Sequence, residues 1–176
     1  MENNNKERTL NVGCGNDFEC TDRLDMYKTP ATTKVSDLNK KLPYKDNSFS
    51  YIKAKCVLEH LKNPGLFVEE CFRVLKPGGK IYVRTDHAGF IPAYLFKSHE
   101  HNKVLEVQYK KGFGHSQNDD HHYFLFVESH LRYFFSNFKN IKVRHVYAGR
   151  NLLVNVILRL FPKNTGACHI ELYATK

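Results

Sequence analysis

The sequence predicts an α/β fold on a mostly parallel sheet. Three observations lead there: short apolar runs alternate with an amphipathic helical stretch, the connections are short, and glycine or aspartate stands where runs stop. Residues 9–12 read as a buried first strand halted by Gly13-Cys14-Gly15. Residues 23–26 and 33–36 read as the second and third strands, the third ending at Asp37. Residues 42–48 are turn chemistry, with proline, aspartate and asparagine, and lead into an alternating run over 49–57, the fourth strand.

Asn63-Pro64 reads as an N-cap followed by proline at the first helical position, where its missing N–H costs nothing. Leu66, Phe67, Cys71, Val74 and Leu75 share one helical face. Lys76-Pro77-Gly78-Gly79 is expected to stop that helix, and residues 80–85 to form the fifth strand. From His87 to His130 the pattern loosens into aromatics, histidines and glycines. A helix is expected over 128–138, and strands over 141–147 and 168–174, two segments able to pair antiparallel at the sheet edge. Residues 151–161 are densely apolar with only Arg159 charged. They are too short to span a bilayer, and burial is the default expectation, with a homodimer face or a membrane-surface contact as alternatives.

The chain of 176 residues is expected to be one domain, with a cofactor half over about 8–86 and a substrate or lid half over about 87–176. Five scattered cysteines without metal-knuckle spacing point to free thiols in a reducing cytoplasm. The N-terminus is polar and carries acids, unlike a secretory leader, and no apolar run is long enough to cross a membrane. Net charge is +9, of which residues 1–96 carry +3 and residues 97–176 carry +6. Such a surface favours anionic partners, although solubilising charge alone explains it as well.

In an open α/β sheet, ligands sit at the carboxyl ends of the strands. Glycines at the first strand's tip let backbone amides approach a ligand, since no Cβ blocks the way. An acid ending the second strand suits two ribose hydroxyls, and one after the third suits an exocyclic amine. Gly13-Cys14-Gly15, Asp25 and Asp37 have those positions. Each alone is weak, and a tight turn or a solvated carboxylate explains it. Their order and spacing together carry the argument.

With these residues in place, the chain resembles the class I S-adenosylmethionine-dependent methyltransferases of the type 11-like kind. Leu10-Asn11-Val12-Gly13-Cys14-Gly15 looks like the first motif and Asp25 like the ribose-binding acid. Asp37-Leu38 with the turn over 42–49 is similar to the adenine-side motif. Val57-Leu58-Glu59-His60-Leu61 and Arg73-Val74-Leu75-Lys76-Pro77-Gly78-Gly79 are similar to the fourth-strand tip and the corner before the fifth strand. The resemblance implies a Rossmann-like, doubly wound, mostly parallel sheet with an antiparallel C-terminal edge. It implies S-adenosyl-L-methionine as cofactor, with Gly13, Cys14 and Gly15 on its methionine portion and Asp25 on its ribose. Met26 would pack on adenine, with Asp37 and the Leu38 amide at the adenine edge. Ala54, Lys55 and Cys56 would pass near the methionine amine and the sulfonium. His60 reads as a structural histidine.

Three departures accompany it. Asn11 stands where the family usually has an acid beside the methionine amine. Only seven residues separate Gly15 from Arg23, so the first helix is expected to be reduced or missing. Third, the first strand lies near the start of the sequence, so no helices are expected to roof the pocket. More open cofactor binding follows from all three.

Methyl transfer from a sulfonium needs alignment above all, and a base only where the acceptor must lose a proton. Seven of the ten histidines lie between 87 and 130. His87, directly after the fifth strand, is the first catalytic candidate, and His121 with His122, after Asp120, the second. His99, Glu100, His101, His115, Asp119, His121 and His122 match no metal-binding motif, so no metal is expected. Tyr94, Phe96, Tyr109, Phe113, Tyr123, Phe124 and Phe126 line a pocket or form core beneath a lid. The function expected is methyl transfer to oxygen or nitrogen of a small-molecule, anionic or surface-polymer acceptor. The alternatives are a nucleic-acid (RNA) methyltransferase, suggested by the basic second half but without a recognisable base-methylation motif, and a catalytically silent scaffold.

Overall fold

The structure, a computed structural model, describes residues 7–90, 122–147 and 152–176. Seven strands form one sheet in the order β3-β2-β1-β4-β5-β7-β6. They are β1 (Thr9–Val12), β2 (Asp22–Asp25), β3 (Lys34–Val35), β4 (Phe49–Lys55), β5 (Leu75–Asp86), β6 (Lys139–Val146) and β7 (His169–Thr175). Pairs among β1 to β5 are parallel, and β7 runs antiparallel between β5 and β6. The chain therefore steps outward from β1 to β3, then crosses back to β4 on the other side of β1. This is the strand reversal of a doubly wound Rossmann-like sheet, with the antiparallel edge that the last two segments predict. Such a reversal leaves a crevice, here beside the tip of β1.

Period-two alternation decides which face each strand buries. Leu10 and Val12 of β1, Ile52 and Ala54 of β4 and Ile81 and Val83 of β5 are wholly or almost wholly buried. They join one core cluster with Phe67, Val68, Cys71 and Val74 of helix α1 (Pro64–Val74) and Leu131 of helix α2 (Glu128–Phe134). As the Asn63-Pro64 pair predicts, Oδ1 of Asn63 accepts the Leu66 amide at 3.1 Å and caps α1. The opposite face carries Tyr51, Lys53, Lys55, Tyr82, Arg84 and Tyr173 around an open cleft of about 290 Å³.

The expected loss of the first helix holds: residues 13–21 join β1 to β2 without one. What stands over that face instead is an ion-pair cluster. Nζ of the nearly buried Lys53 lies 2.6 Å from both Asp17 and Glu19, anchoring the short connection to β4.

Three expectations are corrected. The first helix ends at Val74, ahead of Lys76-Pro77-Gly78-Gly79 as expected, but the fifth strand begins at Leu75 rather than at 80 and takes these residues in. Leu75 already pairs with Phe49, Gly78 turns at φ +76°, and Lys176 bonds to both glycines across the C-terminal edge. The helix expected over 128–138 ends at Phe134. Turns then carry Phe135 and Phe138 into the core before β6. The third concerns 151–161. A helix α3 (Leu152–Arg159) forms there, but only Leu158 is buried, while Leu152, Leu153 and Leu160 are 81%, 68% and 78% exposed. Asn155 and Arg159, four residues apart, share one polar face, so the helix is amphipathic, yet the described residues leave most of its apolar side chains exposed. No helix among the described residues is long and apolar enough to cross a membrane.

Candidate functional site

Two neighbouring groups of residues gather at the carboxyl ends of the strands. The first lies at the tips of β1, β2 and β3. Gly13 and Gly15 adopt φ of +65° and +51°, a left-handed backbone that suits glycine. A Cβ on Gly13 would collide with Cγ2 of Val57, so the first-strand loop presses directly on the residue after the tip of β4. The Gly13 and Cys14 amides both donate to the Leu24 carbonyl, at 2.8 and 3.2 Å. Gly15 donates to Oδ2 of Asp25 at 2.8 Å, and Tyr27 donates to Oδ1 at 3.0 Å. Each carboxylate oxygen keeps a further lone pair. Met26 and Tyr27 stand exposed beside it.

Asp37 closes this group. Burial pushes its carboxyl up, but the Asn39 backbone and side chain and the Lys40 ammonium outweigh that and hold it below the usual range. Leu38 is buried next to it. Asn11 is 1% exposed, and its Nδ2 makes no close hydrogen bond among the described residues. Lys53 above all, and the Asn11 side chain to a smaller extent, hold the Asp17 carboxyl below the ordinary range. Ala54 is buried in β4, Lys55 ends the strand, and Cys56 turns outward at φ +54° with its amide on the Arg84 carbonyl. The predicted cofactor residues thus gather along one rim, from Asp37 through Asp25 and the glycines to Cys56.

The second group lies past the tips of β4 and β5. Residues Leu58–His60 form one 3-10 turn, which places Glu59 inside and His60 at its edge. Glu59 is 1% exposed and accepts from Oγ1 of Thr85 at 2.8 Å. Burial pushes its carboxyl up to about 7, and the nearby Asp86 carboxylate adds to the shift. Its backbone carbonyl accepts the Tyr123 and Phe124 amides at 2.7 and 3.3 Å, fastening that returning segment over the turn. The fastening sets His122 edge-on to His60, with ring centroids 4.6 Å apart. Nδ1 of His122 lies 3.3 Å from Oδ2 of Asp86, and Nε2 of His169 lies 3.3 Å from Oδ1. One ligand atom from each of Glu59, His60 and His122 falls within 4.8 Å of the others.

His87 is placed differently. It is 4% exposed, and its Nδ1 donates to the Ala167 carbonyl at 2.9 Å. Gly89 packs so tightly on the ring that a Cβ there would meet it at 2.9 Å. Such burial fits a packed, bonded histidine better than one that meets an acceptor. Among the pocket aromatics, Phe126 is core at 2% exposure while Phe124 is 42% exposed. His121, the candidate metal ligands His99, Glu100, His101, His115 and Asp119, and Tyr94, Phe96, Tyr109 and Phe113 lie outside the described residues.

The sequence points to no role for Glu59 and to a structural one for His60; the structure brings both beside His122. The available signal was an acid flanked by Leu58 and Leu61 in an apolar turn, which forces the carboxylate inward.

A family model described as a methyltransferase domain matches residues 18–83. An uncharacterised methyltransferase of Schizosaccharomyces pombe is 39% identical over 69 residues, covering 39% of this chain and 24% of that protein. The chain spans between about a quarter and a third of the length of the curated relatives it matches. Among solved structures, a SAM-dependent methyltransferase of Thermotoga maritima aligns with a TM-score of 0.65 at 16% identity, over 97% of this chain and 83% of that one. Haemonchus contortus phosphoethanolamine N-methyltransferase 2, solved with phosphomonomethylethanolamine and S-adenosylhomocysteine, aligns with a TM-score of 0.62 at 17% identity, over 97% and 48%. At such identities the likeness is one of fold.

Proposed function

We propose, from the premise that this chain belongs to the class I S-adenosylmethionine-dependent methyltransferases, that it moves a methyl group onto an oxygen or nitrogen of a small-molecule or surface-polymer acceptor. The observation that carries this reading is the bond between Gly15 and Asp25. It joins the glycine loop and the ribose-side acid into one preformed cradle. These residues fit S-adenosyl-L-methionine. Gly13, Cys14 and Gly15 would hold its methionine part, Asp25 and Met26 its nucleoside, Asp37 and Leu38 its adenine edge, and Ala54, Lys55 and Cys56 its sulfonium side. The cofactor supplies an electrophilic methyl on positively charged sulfur.

In this reading residues about 8–86 form the cofactor half and about 87–176 the acceptor half. The acceptor enters past the tips of β4 and β5, where Glu59, His60, Asp86 and His122 meet. Holding reactants in line contributes on the order of 7–11 kcal/mol to such a displacement, so positioning is the chain's main task. Of the histidine candidates, His122 is the acceptor-side catalytic residue, oriented by Asp86. His87 serves as a positioning residue, tying the end of β5 to Ala167 just ahead of β7.

A second reading, RNA as acceptor, draws on the cleft of the opposite face, where Lys55 and Arg84 stand among Tyr51, Tyr82 and Tyr173. Bases stack on such rings and phosphates pair with such cations. One experiment separates the two. Methyl-labelled cofactor is incubated with the protein and fractionated cell extract. Label in the small-molecule or glycan fraction, lost with Asp25→Ala, supports the first reading. Label in RNA supports the second, and no label in any fraction contradicts both.

A further inference from the structure

We propose that Glu59, His60 and His122 bind one divalent transition-metal ion of the zinc class, with Asp86 orienting His122 from behind. The claim deepens the acceptor side of the methyl-transfer reading, yet metal binding itself requires no cofactor.

Geometry is the first support. Three candidate ligand atoms already lie within 4.8 Å of one another. A tetrahedral zinc site with bonds of about 2.0–2.1 Å needs ligand atoms roughly 3.4 Å apart, which side-chain rotations of about 1 Å supply. The backbone is already set for this. Glu59 and His60 share the 3-10 turn after β4, and the Tyr123 and Phe124 amides pin the segment carrying His122 to the Glu59 carbonyl.

The surroundings are the second support. A ligating imidazole usually engages a carboxylate through its other ring nitrogen, which fixes the ring and raises its basicity. Asp86 stands 3.3 Å from Nδ1 of His122, an arrangement that would leave Nε2 for the ion. A ligating carboxylate is usually hydrogen-bonded in turn, and Oγ1 of Thr85 donates to Oε2 of Glu59 at 2.8 Å. Both supports come from β5, so one strand end orients two of the three ligands.

The third support is charge. Glu59 is 1% exposed, and a carboxylate so buried is costly unless a cation or proton meets it. No lysine or arginine pairs with Glu59 in the ion pairs among the described residues. Two imidazoles and one carboxylate form a borderline donor set, suited to zinc, cobalt or nickel rather than to magnesium or calcium, which prefer oxygen. Three protein ligands leave a fourth position open. An oxygen bound there, from water or from an acceptor hydroxyl, would be held beside the cofactor rim and lose its proton more readily.

The test is titration of chelator-treated protein with Co²⁺ followed by visible absorbance, then displacement by Zn²⁺. Wild type is expected to bind one equivalent, with the intense bands of a four-coordinate site. Glu59→Gln, His60→Ala and His122→Ala, each shown to be folded by circular dichroism, should each lose at least tenfold in affinity. Asp86→Asn should lose about tenfold as well. Wild type binding no stoichiometric metal overturns the proposal. So does equal affinity in wild type and in Glu59→Gln, the near-isosteric change least able to disturb the fold, because other histidines would then be holding the ion. S-adenosylhomocysteine titrations of the same samples separate the two readings: cofactor binding without metal binding sinks only the metal site.

Discussion

The Gly15 amide donates to Oδ2 of Asp25 at 2.8 Å, which makes the turn after β1 and the acid at the end of β2 a single unit. An acid shared between a backbone donor and a ligand contributes twice, once by shaping the loop and once by direct contact. Asp25→Ala should therefore weaken S-adenosylhomocysteine binding by at least tenfold, while Asp25→Asn, which keeps a carbonyl acceptor, loses less. Affinities by calorimetry check this. Unchanged binding in the alanine variant would remove the assignment.

Gly13 combines a left-handed backbone with a wall formed by Val57. Gly13→Ala should cost about 2–4 kcal/mol, the sum of a positive-φ penalty and overpacking. Adding Val57→Ala should give a variant less impaired than the two losses summed, since only the steric part is relieved. Urea midpoints of the two singles and the double supply the comparison, and strict additivity would contradict the contact.

His87 and His122 should separate in their effects. His87→Ala leaves the Ala167 carbonyl without its donor and opens a cavity, so about 1–3 kcal/mol of stability is expected to go. His122→Ala should leave stability near wild type and S-adenosylhomocysteine affinity within threefold, but cut turnover at least tenfold. Full turnover in His122→Ala would clear it of an acceptor-side role.

Acid sensitivity should report on His145. Burial holds its pKa below the ordinary 6.5, His87 lowers it further, and Glu128 opposes them. Because the folded state binds the proton less readily, the unfolded chain takes it first as pH falls through about 6.5. Stability is then lost until the lowered folded pKa is passed. His145→Gln should show a smaller drop in urea midpoint between pH 7.5 and pH 5.5 than wild type. Equal drops in the two proteins would contradict the assignment.

Local signals were readable without coordinates. Asn63-Pro64 announces a helix start because both act through neighbouring backbone groups, and the glycines and Asp25 announce the rim because strand ends are punctuated locally. Too few residues between Gly15 and Arg23 rule out a helix, and the structure has none. Where partners lie far apart in sequence, the reading failed. The helix does stop ahead of Lys76, but Gly78 and Gly79 belong to β5, where Lys176 pairs with them. Residues 151–161 look like core because apolar composition says nothing of which neighbours arrive. Glu59 and His60 meet His122 where the amides of residues 123 and 124 bond to the Glu59 carbonyl, which no periodicity encodes.

Isothermal titration of the folded protein with S-adenosylhomocysteine bears most directly on the cradle built from Gly13, Gly15, Asp25 and Asp37. A saturable heat at one site per chain, abolished by Asp25→Ala, is the expected result. Heat indistinguishable from dilution at millimolar ligand, from protein with a cooperative unfolding transition, would contradict it.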